Sequence, residues 1–171
     1  MEEDWRDLLE FPAYAINQEG FVINKDTGQV KVRSTNAQGV RSVNFIENGR
    51  QHRRSVALLV AHAFLPVQTS SHFNTPIHLD GDKSNCSALN LAWRPRWFAI
   101  RFHQQFYAEG EHTKWHAVPV YCVNTDTKFD RAIDAAMAYG LLVRDIVVSA
   151  HNNTAVFPAW YQFDLLDDSV H

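Results

Sequence analysis

Ile77-His78-Leu79-Asp80-Gly81-Asp82-Lys83-Ser84-Asn85, followed shortly by Asn90-Leu91-Ala92-Trp93, is the stretch whose reading decides the fold. Asp-Gly is turn chemistry, because glycine reaches positive φ without steric cost and aspartate bonds its own backbone. His78 is expected on a strand before that turn, and Leu91-Ala92-Trp93 on a strand after it. Asn85 is expected to brace the turn, Asn90 to fasten the connection into the second strand, and Trp93 to fill a small core. From Arg94 to Tyr107 the spacing of Trp97, Phe98, Ile100, Phe102 and Phe106 predicts a helix opened by Pro95, which a first helical turn tolerates. The order is strand, polar loop, strand, helix.

The chain has 171 residues, 46% of them hydrophobic, enough core for one compact domain or a few small modules. No apolar run reaches the roughly 18 residues that span a bilayer. The acidic start, Met1-Glu2-Glu3-Asp4-Trp5, lacks the layout of a signal peptide, so a cytoplasmic protein with no membrane partner is expected. Cys86 and Cys122 form no C-x-x-C pair, which speaks against a zinc ribbon and against a disulfide framework. Net charge is -3, but it is unevenly spread. Residues 21 to 104 carry eleven basic and four acidic side chains, a balance of +7, and the segments on either side are each at -5. A basic middle segment points to a local polyanion partner.

The first third reads as β structure. Phe21-Val22-Ile23-Asn24 and Gln29-Val30-Lys31-Val32-Arg33 flank Lys25-Asp26-Thr27-Gly28, and alternation there puts Val30 and Val32 on one face with Lys31 and Arg33 on a solvent face. A second hairpin is expected around Asn48-Gly49, between Ser42 to Ile46 and Gln51 to Val56. Val56 to Phe64 is an apolar helix. His62 is read as an exposed helix residue, and His72 as part of a polar loop. Glu109 to Lys114 reads as a polar linker. Beyond it come a strand at Val118 to Asn124, a turn at Thr125-Asp126-Thr127, and a helix from Ile133 ending at Gly140. A second helix, about Val143 to His151, completes a helix-turn-helix pattern with small residues at the crossing.

The central run resembles the core of the HNH homing endonucleases of phages and group I introns, in which H-x-D-G-D/N-K-x-N leads to N-L-x-W. Tyr14, Ile16, Gly20 and Val22 resemble that family's amino-terminal module, and Leu59-Val60-Ala61-His62-Ala63-Phe64-Leu65-Pro66 its supporting helix. The tail, ending in Trp160-Tyr161, resembles its carboxy-terminal DNA-binding repeat. The resemblance implies an α+β fold: an amino-terminal β module at 1–35, a ββα-metal unit at 36–108, a linker at 109–116 and a helix-turn-helix module at 117–171. It also implies duplex DNA as partner and a phage or other mobile-element origin. His78 falls at the general base and Asn90 at the loop brace. The two metal-ligand positions fall on Ile77 and Ala99, which offer a cation no lone pair.

The function expected is therefore that of a DNA-binding protein derived from such a nuclease, with phosphodiester cleavage lost or much reduced. An active nicking enzyme using Mg2+ or another divalent cation is one alternative. The other is a protein-interaction module, a virion component or an inhibitor of a host enzyme, engaging a partner through its acidic ends. His78 stays open between residual base, phosphate contact and fold brace. Arg50, Arg53, Arg54, Arg94, Arg96 and Arg101 are the candidate phosphate contacts near the ββα unit. Arg144, Ser149, His151, Asn152 and Asn153 are candidate groove contacts in the tail, where Asp145 has the wrong sign for phosphate.

Overall fold

A computed structural model describes residues 4–107 and 109–166. The outermost acidic residues, Glu2, Glu3, Asp167 and Asp168, lie outside the described residues. Two compact units divide the chain, Met1–Ala99 and Ile100–His171.

In the first unit, β1 (Arg6–Asp7), β2 (Tyr14–Ile16) and β3 (Val22–Asn24) form an antiparallel sheet in sequence order. A tight turn joins β2 to β3. The Oδ1 of buried Asn17 accepts from the Phe21 amide at 2.8 Å, and Gly20 takes φ +78°. A second antiparallel sheet consists of β4 (Ser34–Thr35), β5 (Arg41–Glu47) and β6 (Arg50–Ser55). Asn48 and Gly49 turn β5 into β6 with φ of +51° and +73°, the double positive φ that favours Asn-Gly in two-residue hairpins. Ser55 then caps α1 (Val56–Phe64), its hydroxyl accepting from the Leu58 amide. Ile16, Val22, Val43, Phe45, Val56 and Val60 close the core, and Phe11 stacks on Phe45 with ring centroids 4.1 Å apart. β7 (Thr75–His78) and β8 (Leu91–Arg94) form a separate antiparallel pair in which His78 faces Leu91 and Ile77 faces Ala92. α2 (Arg96–Gln105) follows.

The second unit continues from α2 into a 3-10 helix at Gly110–Ala117. Next come β9 (Val120–Cys122), β10 (Thr127–Phe129), α3 (Ala132–Tyr139), α4 (Val143–Asn152), β11 (Ala155–Val156) and β12 (Tyr161–Leu165). Its sheet runs β10-β9-β12-β11, all antiparallel. Gly140, in the left-handed region at φ +62°, ends α3 and lets Leu141 and Leu142 turn the chain into α4. Val120, Cys122, Ala136, Leu141, Ile146 and Phe163 fill the core. Both cysteines are buried free thiols. Among the described residues no helix is long and apolar enough to cross a membrane.

The α+β class, the Asn-Gly hairpin, α1 and the two tail helices fall where the sequence puts them. Three readings need correction. Gln29 to Arg33 is not a full strand; it meets β3 through one bridge, Ile23 to Val30. The faces there are inverted: Val30 and Val32 are exposed, and Lys31 and Arg33 are half-buried. Aromatic rings explain the inversion, since the Arg33 guanidinium lies 3.9 Å from the Phe21 ring centroid and the Lys31 ammonium 5.5 Å from that of Tyr14. The polar linker is instead mostly the 3-10 helix, whose Trp115 packs on the second core. The tail also has four strands, not one, with β12 between β9 and β11.

Gly20 gives the first test of this packing. A Cβ on it would lie 2.5 Å from Val56 Cγ1, inside the core, and would also strain a positive φ. Gly20→Ala should cost about 2 to 4 kcal/mol in chemical denaturation, from the backbone term plus overpacking. Unchanged stability would contradict the close approach of this turn to α1.

Candidate functional site

The loop between β7 and β8 is closed by side chains bonding one another. Asn90 Nδ2 donates to Asp80 Oδ1 at 2.9 Å and to the Asn85 carbonyl at 2.9 Å, and Asn90 Oδ1 accepts from the Asp80 amide at 3.1 Å. Asn85 Nδ2 donates to Asp80 Oδ2 at 2.7 Å, and Asp80 Oδ1 also accepts from the Asp82 amide at 2.9 Å. Both Asp80 oxygens are thus engaged within the loop. Gly81, at φ +78°, donates its amide to the His78 carbonyl at 2.9 Å, making the turn that the Asp-Gly pair announces.

His78 ends β7 and is 6% exposed. Asp82 lies on the exposed side of the loop. Hydrogen bonds from Ser84, backbone first and then side chain, hold its carboxyl below the ordinary aspartate value, against a small opposing effect of burial and with smaller help from His78 and Arg41. Ile77 is 0% exposed, and Ala99, in α2, is 3% exposed. Trp93 is buried in β8, with the exposed His62 ring 5.0 Å away. His72 is exposed in its loop.

The arginines singled out in the sequence do not have equal freedom. Arg50 and Arg96 are exposed. Arg53 is exposed too, but its Nε donates to Ser42 Oγ at 2.7 Å, on the outer face of the second sheet. Arg54 is tied to the Glu10 carboxylate, and its bonding holds Glu10 below its ordinary pKa. Arg94 donates to the Trp93 carbonyl at 2.8 Å, and burial pulls its pKa down to about 10. In the second unit, Arg101, Arg144 and Asp145 share a cleft of about 380 Å3 with Trp115 and His116. Burial raises the Asp145 carboxyl despite Arg144 and Arg101. Arg144, His151, Asn152 and Asn153 are exposed, and Ser149 is buried, its hydroxyl donating to the Thr154 carbonyl.

Arg33, Arg41 and Lys83 are missing from the residues that the sequence nominates. Arg33 and Arg41 both act on the buried Cys86 thiol, and Arg41 acts on Asp82. A Cβ placed on Gly39 would sit 3.9 Å from Lys83 Cβ, so the β4–β5 turn abuts the loop after His78. The available signal was the turn Asn36-Ala37-Gln38-Gly39, which folds Arg33 and Arg41 together; strict alternation hid it.

The fold has a solved counterpart. The chain superposes on the structure of the homing endonuclease I-HmuI, described for DNA binding and cleavage, with a TM-score of 0.53 over 97% of this chain and 99% of that one, at 16% identity. The fold is that of an HNH homing endonuclease. An uncharacterized HNH endonuclease of Acanthamoeba polyphaga mimivirus is 28% identical over 93 residues, which are 54% of this chain and 27% of that relative. The matched stretch therefore spans about a quarter of the relative's length. No family model matches the chain.

An HNH fold implies a divalent cation, and the residues that the resemblance aligns with its ligand positions do not fit one. Hard cations take oxygen ligands, whereas Ile77 and Ala99 present hydrocarbon. Asp80, the carboxylate that could substitute, has both oxygens engaged by Asn85, Asn90 and the Asp82 amide. Among the described residues, no group of three or more His, Cys, Asp or Glu side chains is placed to hold a metal.

Asn90 is the residue on which the HNH-like loop turns. Asn90→Ala removes three side-chain hydrogen bonds and should cost about 2 to 4 kcal/mol at roughly 1 kcal/mol per bond. Chemical denaturation reads the loss. A cost below about 0.5 kcal/mol would show that solvent replaces these bonds and that the loop is not braced by Asn90.

Proposed function

We propose that this chain is a duplex-DNA-binding protein derived from an HNH homing endonuclease, with phosphodiester cleavage lost or much reduced. The observation that supports the reading is that Ile77 and Ala99, which the family resemblance aligns with the two cation-ligand positions, are apolar and buried. One-metal hydrolysis needs a base for the water and a fixed cation on the leaving oxygen. His78 supplies at most the first. The braced loop and the basic middle segment serve binding without chemistry.

Binding is assigned to phosphate contacts from Arg50, Arg53, Arg96 and Arg101, with smaller parts for Arg54, which is paired with Glu10, and Arg94, which is half-buried. The tail fits a reading module: α3, the corner at Gly140 and α4 form a helix-turn-helix. Arg144, Val148, His151 and Asn152 make an exposed stripe along α4 at helical spacing. A phage or other mobile element is the source that fits such a protein, and the host cytoplasm its place of action.

Supercoiled plasmid incubated with the protein and Mg2+ or Mn2+ tests the reading, scored for nicking and for gel retardation in the same tubes. The parent should retard the plasmid and leave it supercoiled. Ile77→Asp combined with Ala99→Asn supplies two oxygen donors and should restore measurable nicking, which a further His78→Ala should abolish. Either single substitution should restore much less than both. Robust nicking by the parent that His78→Ala removes would establish an active enzyme and overturn the reading.

A further inference from the structure

We propose that Arg33, Arg41 and Lys83 form a phosphate anchor beside His78, so that this site grips the DNA backbone with guanidinium and ammonium groups and without a divalent cation. The inference rests on the DNA-binding reading and adds the location and the chemistry of the grip.

Strand register brings the three cations together. Ser34 pairs with Ser42 and Thr35 with Arg41, so Arg33 and Arg41 share one face of the β4–β5 ladder as diagonal neighbours, roughly 7 to 8 Å apart at Cα. The intervening turn is fixed by Asn36, whose Oδ1 accepts from the Gln38 amide at 3.0 Å and the Val40 amide at 2.9 Å. That turn places Gly39 against Lys83, one residue beyond Asp82. Arg33 is held from the other side, over Phe21 and donating to the Glu19 carbonyl at 3.3 Å. The cations come from separate parts of the first unit, and the turn between Arg33 and Arg41 packs against Lys83 in the loop that follows His78.

Carboxylates among the described residues do not neutralise them. Arg6, Lys25, Arg54 and Arg131 each pair with a carboxylate. Among the described residues, Arg33, Arg41 and Lys83 make no ion pair, although all three are half-buried. Asp82, the carboxylate that feels Arg41, is bonded to Ser84. Burial first, and then the charge of Arg41, lowers the Arg33 pKa. Two like charges, partly desolvated on one strand face, disfavour the free protein. A phosphate oxygen between them removes that repulsion and takes paired N–H donors from guanidinium. Ile77 and Ala99 leave no cation to compete for the same phosphate.

The test is fluorescence anisotropy of a labelled duplex with the full chain, in EDTA and in Mg2+ at matched ionic strength. Wild type should bind in EDTA and no more tightly in Mg2+, which competes for the phosphates. Arg41→Gln with Lys83→Gln should weaken binding by about tenfold or more and make the log affinity against log salt slope shallower by about 2, for two lost phosphate contacts. Arg131→Gln, at a cation already paired with Asp134, should change neither. The melting temperature of the double variant should be no lower than that of wild type, because a repulsion is removed. If the double variant proves unfolded, Lys83→Glu alone takes its place and should still weaken binding severalfold. Wild-type affinity in a folded variant, or wild-type binding that requires Mg2+, overturns the anchor. If the variant keeps its affinity while Arg50→Gln with Arg53→Gln loses it, the anchor falls and the DNA-binding reading stands. If wild type binds no duplex in either buffer, both fall.

Discussion

Reciprocal hydrogen bonding between Asp80 and Asn90 is the constraint on which the centre of this protein depends. Asn90 donates to the Asp80 carboxylate and accepts from the Asp80 amide, while its backbone carbonyl takes the Leu79 amide at 2.8 Å. These bonds fasten the start of the loop to its end and hold His78 opposite Leu91 in the β7–β8 pair. Their partners all lie within the chain, so the loop keeps its shape without a cation to organise it. The Asp-Gly-Asp run that looks most like a place for a metal is therefore spent on its own loop.

That economy suits the proposed phosphate contact to a chain of net charge -3. The acidic residues of the loop, Asp80 and Asp82, are bonded inside it. Each removes a carboxylate from competition with a polyanion. Arg33 and Arg41 flank the β4–β5 turn, and that turn abuts Lys83 in the loop after His78. Phosphate binding and phosphate hydrolysis thus separate physically: the first needs cations, the second needs a cation held by oxygen ligands as well as a base.

Features that depend on local chemistry were legible in the sequence. Asp80-Gly81, Asn48-Gly49 and Gly140 mark their turns because each needs a positive φ that glycine supplies, and α1 and the tail helices follow from apolar spacing. Features that depend on who packs against whom were not. Period-two alternation put Val30 inside and Arg33 outside, yet Phe21 and Tyr14 offer ring faces to the basic side chains and the valines turn outward. For the same reason the sequence pointed to Arg54 and Arg94, which the fold engages, and passed over Arg41, whose charge acts on Asp82 only because the β4–β5 turn packs against the loop after His78. β11 and β12 escaped because each is short and takes its place only through partners distant in sequence, β12 pairing Phe163 with Cys122.

Electron paramagnetic resonance of Mn2+ titrated into the protein mixed with a duplex longer than its footprint tests the central claim most directly. The account predicts that the free Mn2+ signal with protein and duplex together equals that with duplex alone, while the protein stays bound to the DNA. A saturable loss of one Mn2+ per protein, removed by His78→Ala or by Asp80→Asn, would contradict it by showing that this site holds a metal after all.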